Sequence, residues 1–352
     1  MECSSRGLRE SLRGFTLIEM LVVVFIIGLL IAITVPAVQR SREAAKRLEC
    51  INKLKQLGIA LNSFASKGSM FPAPMPKRTQ MKKPPPVPPF GAAPDGLSGY
   101  YELLPHMEAT SVYNAYNLGS TEPWGDHLGP RSVENLTAAN TRLAAFLCPS
   151  DDYASVFNTG PCSYRFNVGG SDPMSSAIDS ARRGAFDPMD PVAISDITDG
   201  MSNTIGLSER LLGAGRPARF DKRRDLWYAG VYPSFPMPED DDTLKVCRSL
   251  RSAPARFISG MGSFWSHGGA AYIWYNHVAT PNAALSDCDT SDPSSGIHTR
   301  CATCSISPRS NHSSGVNCLL MDGSVKTIMD TIEPRTWRAL GTRSGGEALA
   351  SF

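Results

Sequence analysis

The sequence predicts an α+β fold in which a long N-terminal helix lies, over its distal half, on an antiparallel sheet that carries an enlarged, loop-rich head. Three observations lead there: an apolar run at residues 15–38, apolar residues recurring every three or four positions after it, and short apolar segments separated by turn residues beyond. Of 352 residues, 42% are hydrophobic and 19% charged, which supports a folded chain and excludes a wholly disordered one. Lys and Arg number 35 against 33 Asp and Glu, so the net charge of +2 lacks the basic footprint of a nucleic-acid binder, and no nucleic-acid partner is expected. Gly (30) and Pro (27) are frequent enough to favour turns and short strands over a helical bundle.

Residues 15–38 read FTLIEMLVVVFIIGLLIAITVPAV with one charge, Glu19. At ~1.5 Å rise per residue they make a helix of roughly 36 Å, enough to cross a hydrocarbon layer of ~30 Å. A plain single-pass anchor is one reading, and a secretory signal cut near Val35-Pro36-Ala37 is another. The run exceeds the ~7–15-residue apolar core of such a signal and carries a carboxylate where signals carry none. Inside a bilayer an unpaired Glu19 costs ~2.5–3.5 kcal/mol, so it needs a cation. Phe15 lies four positions earlier, after Gly14 and a leader containing Arg6, Arg9 and Arg13. Cleavage after Gly14 would give Phe15 a charged amine on the helical face of Glu19, and a neighbouring copy staggered by about one turn would set its amine against this carboxylate. Charge alone does not orient the segment, because Arg40, Arg42, Lys46 and Arg47 follow it.

Arg13-Gly14-Phe15-Thr16-Leu17-Ile18-Glu19 resembles the prepilin processing site of type IV pilins and type II secretion pseudopilins. The resemblance implies a pilin-like fold, with a prepilin peptidase as partner that cuts after Gly14 on the cytoplasmic face and N-methylates Phe15. It also implies that Glu19 guides docking against other pilin-like subunits or self, and that Pro36 kinks the helix. The expected place is the cytoplasmic (inner) membrane, crossed once among membrane lipid, with the large domain extracytoplasmic and able to join a surface or periplasmic filament.

After the apolar run, Leu48, Ile51, Leu54, Leu57, Leu61 and Phe64 make an amphipathic pattern that extends the helix to about Ser66, stopped near Gly68 and by Pro72. Packing against the protein's own sheet is favoured over a coiled-coil seam, which would have too few heptads. Nine prolines between Pro72 and Pro94 mark a surface loop or linker with polyproline II character. The expected organisation is a leader at 1–14, a membrane helix at 15–38, its amphipathic continuation at 39–68, the Pro-rich segment at 69–95 and a head at 96–352. Within the head, residues 99–118 read as core with a short helix at 108–116, residues 146–151 end an apolar run in a turn, and residues 164–170 suggest a strand running into glycines. Residues 316–321 and 324–329 flank Asp322-Gly323, a hairpin signal because Gly tolerates the positive φ of a type I′ turn.

FLCPSD at 146–151, DGMSNTIGLSE at 199–209, YNHVATPN at 275–282, SNHSSGVNCLLMDGSVKTI at 310–328 and TWRALGTRSGGE at 336–347 together resemble a large bacterial family known as domain of unknown function 1559, whose members often begin with a prepilin-type segment. One departure stands out: His312-Ser313-Ser314-Gly315 replaces the His-Pro-Gly-Gly usual in that family.

His312, Asn317 and Asp322 invite a catalytic reading, but no Gly-x-Ser-x-Gly elbow, His-Glu-x-x-His motif or phosphate loop accompanies them, and polar turn residues bonding loop backbone explain them more simply. No catalytic residue and no cofactor is expected. Asp196, Asp199, Asn203 and Glu209 offer oxygen ligands for calcium without EF-hand spacing. His298, Cys301, Cys304 and Cys318 have zinc-like spacing, whereas an exported head meets an oxidising compartment in which thiols pair. Disulfides are therefore expected among Cys148, Cys162, Cys247, Cys288, Cys301, Cys304 and Cys318, with connectivity open and with Cys50 on the helix single or buried. Two functions follow: a pseudopilin-like structural subunit, or a membrane-tethered extracytoplasmic binding domain that uses the prepilin segment for export and anchoring alone.

Overall fold

The computed structural model describes residues 16–76, 96–117, 135–174, 180–216, 219–229, 239–250, 256–290, 301, 303–313 and 315–347. Most of the Pro-rich segment, the leader and Phe15 lie outside them. The first element is a 49-residue helix, α1 (Leu17–Ala65), with Pro36 inside it. Pro36 lacks the amide hydrogen its turn would use, yet the helix continues past it. The chain divides into two compact units, Met1–Ala45 and Lys46–Phe352. In the first, every described residue as far as position 42 is exposed, and the exposed side chains from Leu17 to Val38 are overwhelmingly large and apolar.

In the second unit, α1 buries Cys50, Leu54, Leu57, Gly58, Ala60, Leu61 and Ala65 in the main core. The spacing-based expectation placed Leu48 on that face, but Leu48 is 62% exposed and Cys50 is fully buried. The seam is built on small residues because the helix lies close to the sheet: a Cβ on Gly58 would sit 2.7 Å from Leu319 Cδ1 and 3.3 Å from Gly323 Cα. The helix stops one residue short of the expected Ser66, and Ser69 rather than Gly68 takes the left-handed conformation (φ 54°), its amide donating to the Ala65 carbonyl at 2.7 Å.

The later elements are β1 (Met70–Phe71), α2 (Gly99–Leu103), α3 (Thr110–Ala115), α4 (Leu136–Asn140), β2 (Tyr164–Asn167), β3 (Val192–Ala193), β4 (Ile205–Glu209), β5 (Leu226–Tyr228), α5 (Asp240–Ser249), β6 (Phe257–Ile258), α6 (Ala270–Ile273), β7 (Trp274–Tyr275), β8 (Asp287–Asp289), β9 (Cys304–Ser305), β10 (Gly315–Leu320), β11 (Val325–Met329) and α7 (Pro334–Ala339). The main sheet has the order β11-β10-β4-β2-β7, a second sheet has the order β6-β5-β8-β9, and β1 pairs with β3. All ladders are antiparallel except β2–β7 and β5–β8. Residues of β2, β4 and β10 are buried on both faces, which requires a cover on each side of the sheet. On one side the cover includes α1. Tyr100, Phe146, Phe166 and Trp265 form a chain of ring contacts, with the Tyr100 hydroxyl donating to the Tyr164 carbonyl at 2.9 Å.

The β10–β11 hairpin forms where Asp322-Gly323 predicts it, with Leu319 opposite Val325. Its turn is not type I′, because only Gly323 has positive φ (91°), and the Leu320 carbonyl accepts the Gly323 amide at 2.9 Å. Asp322 Oδ1 accepts the Ser324 amide and hydroxyl at 2.8 and 2.7 Å, so the aspartate helps the backbone close a longer loop. At the other end of β10, Gly315 has φ 145°, and a Cβ there would run into the Ile328 carbonyl. The glycine of the altered His-Ser-Ser-Gly loop is thus fixed by the hairpin itself.

Much of the buried charge in this head is paired, although Arg165 is fully buried with the Trp274 carbonyl, 3.4 Å away, as its partner. Asp287 accepts Arg210 at 2.7 Å and Arg309 at 3.0 Å, together with the Ser307 hydroxyl. Burial alone would raise the Asp287 carboxyl, but Arg309 and Arg210 hold it below its ordinary value. Asp151 receives Arg224 at 2.7 Å and the Leu212 amide at 2.7 Å. His267 and His277 are buried and pushed down to about 3 from 6.5 by desolvation. His277 stacks on Trp337 with ring centroids 3.8 Å apart and lies 2.7 Å from the Trp337 carbonyl.

Because both histidines are neutral when folded and bind a proton near pH 6.5 when unfolded, their contribution is complete above about pH 6.5 and is lost as pH falls toward about 3. The slope is about 1.4 kcal/mol per pH unit per histidine. Guanidinium midpoints of the detergent-solubilised chain should fall between pH 7 and pH 4.5, and His277→Gln should remove about one proton from that dependence. A wild-type midpoint that is flat over this range would refute the assignment.

Candidate functional site

Thr16 and Glu19 open α1 with a reciprocal capping box. The Thr16 amide and hydroxyl donate to Glu19 Oε2 at 2.8 and 2.7 Å, and the Glu19 amide donates back to Thr16 Oγ1 at 3.3 Å. The expectation gave Glu19 a cation as its partner and overlooked Thr16, although Thr-x-x-Glu ahead of an apolar run is itself a helix-start signature. Gly14 and Phe15 lie outside the described residues. Among the described residues one helix is long and apolar enough to cross a membrane, by length and composition.

The cysteines sort by distance through space. Cys50 pairs with Cys148, Cys247 with Cys288, and Cys301 with Cys304, with Cα separations of 5.1, 5.6 and 5.5 Å. Cys50 is therefore not single: the buried face of α1 brings it to the turn after residue 146, closing a loop of sequence separation 98. Cys162 and Cys318, both expected among the bridged set, are free and buried. Burial pushes both thiols up to about 12, which keeps them protonated. The zinc-like set does not assemble, since Cys301 and Cys304 bond each other, Cys318 lies beside Ser208 at 3.3 Å, and His298 is outside the described residues.

The calcium candidates are dispersed as well. Asp199 accepts the Gly345 and Gly346 amides at 2.7 and 2.9 Å, so its carboxylate ties down the segment after α7. Asn203 Nδ2 donates to the Asp199 carbonyl at 3.1 Å, and Asp196 lies 3.5 Å from the Ser195 hydroxyl. Glu209 points elsewhere, into the main sheet, where Asn317 donates its amide to Oε2 and its Nδ2 to Oε1, each at 2.9 Å. His312 Nε2 is 3.4 Å from Glu209 Oε1 and 3.7 Å from Cys148 Sγ. His312 and Asn317 are thus brought together on Glu209, whereas Asp322 serves the hairpin turn.

The sequence motifs meet in the same region. Asn311 Nδ2 donates to the Ser150 carbonyl at 2.9 Å, Asn282 Oδ1 accepts the Ser310 amide at 3.0 Å, and Asn276 donates to the Cys304 carbonyl at 2.9 Å. Side-chain bonds to loop backbone therefore knit segments far apart in sequence.

An apolar N-terminal helix whose later turns pack on an antiparallel-rich sheet defines a pilin-like α+β protein. The chain belongs to the family described as "Protein of unknown function (DUF1559)", which matches residues 39–335, while the "Prokaryotic N-terminal methylation motif" matches residues 12–35. It is similar to the "Type II secretion system core protein G" of Escherichia coli (strain K12), with 29% identity over 122 residues, covering 32% of this chain and 83% of that protein. The protein of the same name from Klebsiella michiganensis is 34% identical over 64 residues, covering 18% of this chain and 45% of its own length. No solved structure matches the chain.

Peptide mapping after alkylation without reduction should recover the three cystine pairs and leave Cys162 and Cys318 unmodified until the chain is unfolded, when both should label. Labelling of either thiol in the folded protein would contradict its burial.

Proposed function

We propose that this protein is a membrane-anchored, pseudopilin-like structural subunit. The observation that carries the proposal is the methylation motif at residues 12–35 heading an exposed apolar helix that opens with the Thr16–Glu19 capping box. In this reading a prepilin peptidase cuts after Gly14 and methylates Phe15, residues 15–38 cross the cytoplasmic membrane once, and the head lies outside. The Glu19 carboxylate exchanges its Thr16 bonds for the Phe15 amine of an adjacent subunit, which restores a partner of opposite charge where water is absent. Apolar faces of neighbouring helices then bury one another to form a pilus or secretion pseudopilus. The similar proteins are, by name, core proteins of a type II secretion system, and the same setting is proposed here. The head acts as a non-enzymatic module whose distinctive surface selects partners.

Mass spectrometry of the native protein should show an N-terminal N-methyl-Phe15. Glu19→Val should leave processing intact and abolish cross-linking between copies carrying cysteine pairs on α1. Processing without any contact between copies, in wild type as in the variant, would replace the subunit reading with a tethered binding domain. A native chain that retains residues 1–14 would overturn the subunit reading and leave the tethered domain.

A further inference from the structure

Four metal-ligating groups converge in the core of the head. Cys50 comes from α1, Cys148 from the turn after residue 146, Glu209 from the end of β4, and His312 from the loop before β10. All four residues are buried, and one ligand atom from each lies within 4.8 Å of the others. A disulfide between the two cysteines explains two members of this group. It does not explain a carboxylate and an imidazole, 2% and 1% exposed, aimed at the same sulfur.

Two of the three edges around Cys148, Glu209 and His312 match a tetrahedral site, and the third is slightly longer. A zinc ion at about 2.3 Å from sulfur and about 2.0–2.2 Å from nitrogen and oxygen sets ligand-to-ligand edges of about 3.3–3.8 Å. The observed edges are 3.4 Å from His312 Nε2 to Glu209 Oε1, 3.7 Å from that nitrogen to Cys148 Sγ, and 4.0 Å from Cys148 Sγ to Glu209 Oε1. Two sulfurs, one imidazole and one carboxylate form a mixed soft and borderline set that suits zinc over calcium or magnesium. An outer layer of bonds already orients the ligands. Asn317 holds both Glu209 oxygens, Thr327 Oγ1 donates to Asn317 Oδ1 at 2.8 Å, and the His312 amide donates to Ser310 Oγ at 3.1 Å.

We propose that Cys50, Cys148, Glu209 and His312 form a closed structural zinc site in the dithiol form of the protein, with the Cys50–Cys148 disulfide as its oxidised, metal-free alternative. An external dithiol breaks the S–S bond, delivering two electrons and two protons, and is itself oxidised to a disulfide. On metal loading the two thiols release these protons to solvent, and the thiolates, the imidazole and the carboxylate bind the zinc ion. Either state cross-links α1 to the rest of the head, so the head keeps its helix in oxidising and reducing surroundings alike.

The test uses the full chain in detergent, carrying Cys247→Ser/Cys288→Ser and Cys301→Ser/Cys304→Ser to remove the other two cysteine pairs. After reduction with dithiothreitol and anaerobic desalting, it should bind one equivalent of zinc. Cobalt in its place should give intense visible bands of a tetrahedral ion together with thiolate charge transfer. His312→Gln and Cys148→Ser should abolish those bands. Asn317→Ala should weaken zinc binding about 10–100-fold, and the oxidised chain should bind none. Failure of the reduced chain to bind zinc or cobalt, or tetrahedral bands that survive in both His312→Gln and Cys148→Ser, would overturn the proposal. If reduction unfolds the chain, refolding with zinc but not magnesium must restore its circular dichroism spectrum, and failure of zinc to do so counts equally against the site.

Discussion

The distal turns of α1 have to remain buried against the sheet, and most of the head is arranged to keep them there. A helix satisfies its own backbone, so its placement rests on side-chain burial and on what crosses the seam. Here the seam is narrow because Gly58 admits Leu319 and the Gly323 turn, and it is closed at one end by Cys50 bonded to Cys148. Lys53 adds a bond to the Leu147 carbonyl at 2.8 Å, and the Tyr164 hydroxyl donates to the Cys50 carbonyl at 3.3 Å. Among the described residues, the apolar side chains of the first half of α1 are exposed. One continuous helix therefore serves two surroundings, and the changeover falls near Ala45.

Around that seam the head uses buried polarity as fastening. Asp287 between two arginines, Asp151 on Arg224, and Glu209 on Asn317 each satisfy a carboxylate with donors from other segments. A buried ion pair is not a large net source of stability, but removing one partner strands the other at about 3–5 kcal/mol. These pairs make the loop paths mutually dependent, which matters in a head with many short strands and long connections. The region of Cys148, Glu209 and His312 belongs to the same scheme, with the difference that its groups are those that also bind metal.

The fold class was legible because it rests on periodicity. The apolar run, the spacing from Leu54 to Leu61, the Asp322-Gly323 hairpin and the strand at residues 164–167 all rest on local patterns that survive without neighbours. Errors arose where two local readings were equal and tertiary packing chose between them. Leu48 joins the pattern through its spacing to Ile51, but the buried line runs through Cys50, Leu54, Leu57 and Leu61, and Leu48 lies about 200° round the helix from Cys50. The hairpin turn was read as type I′ from its dipeptide, whereas the register of β10 and β11 calls for a longer loop.

The sequence by itself determined that the chain begins with a processing-type motif and an apolar helix, continues that helix amphipathically and ends in an α+β head, because covalent order and spacing encode these directly. Tertiary structure alone decided which cysteines pair, that Cys162 and Cys318 stay free and buried, and that Glu209 and His312 share one buried spot. The Cys50–Cys148 and Glu209–His312 groupings close loops of around a hundred residues through space, and no spacing along the chain records where such a loop returns.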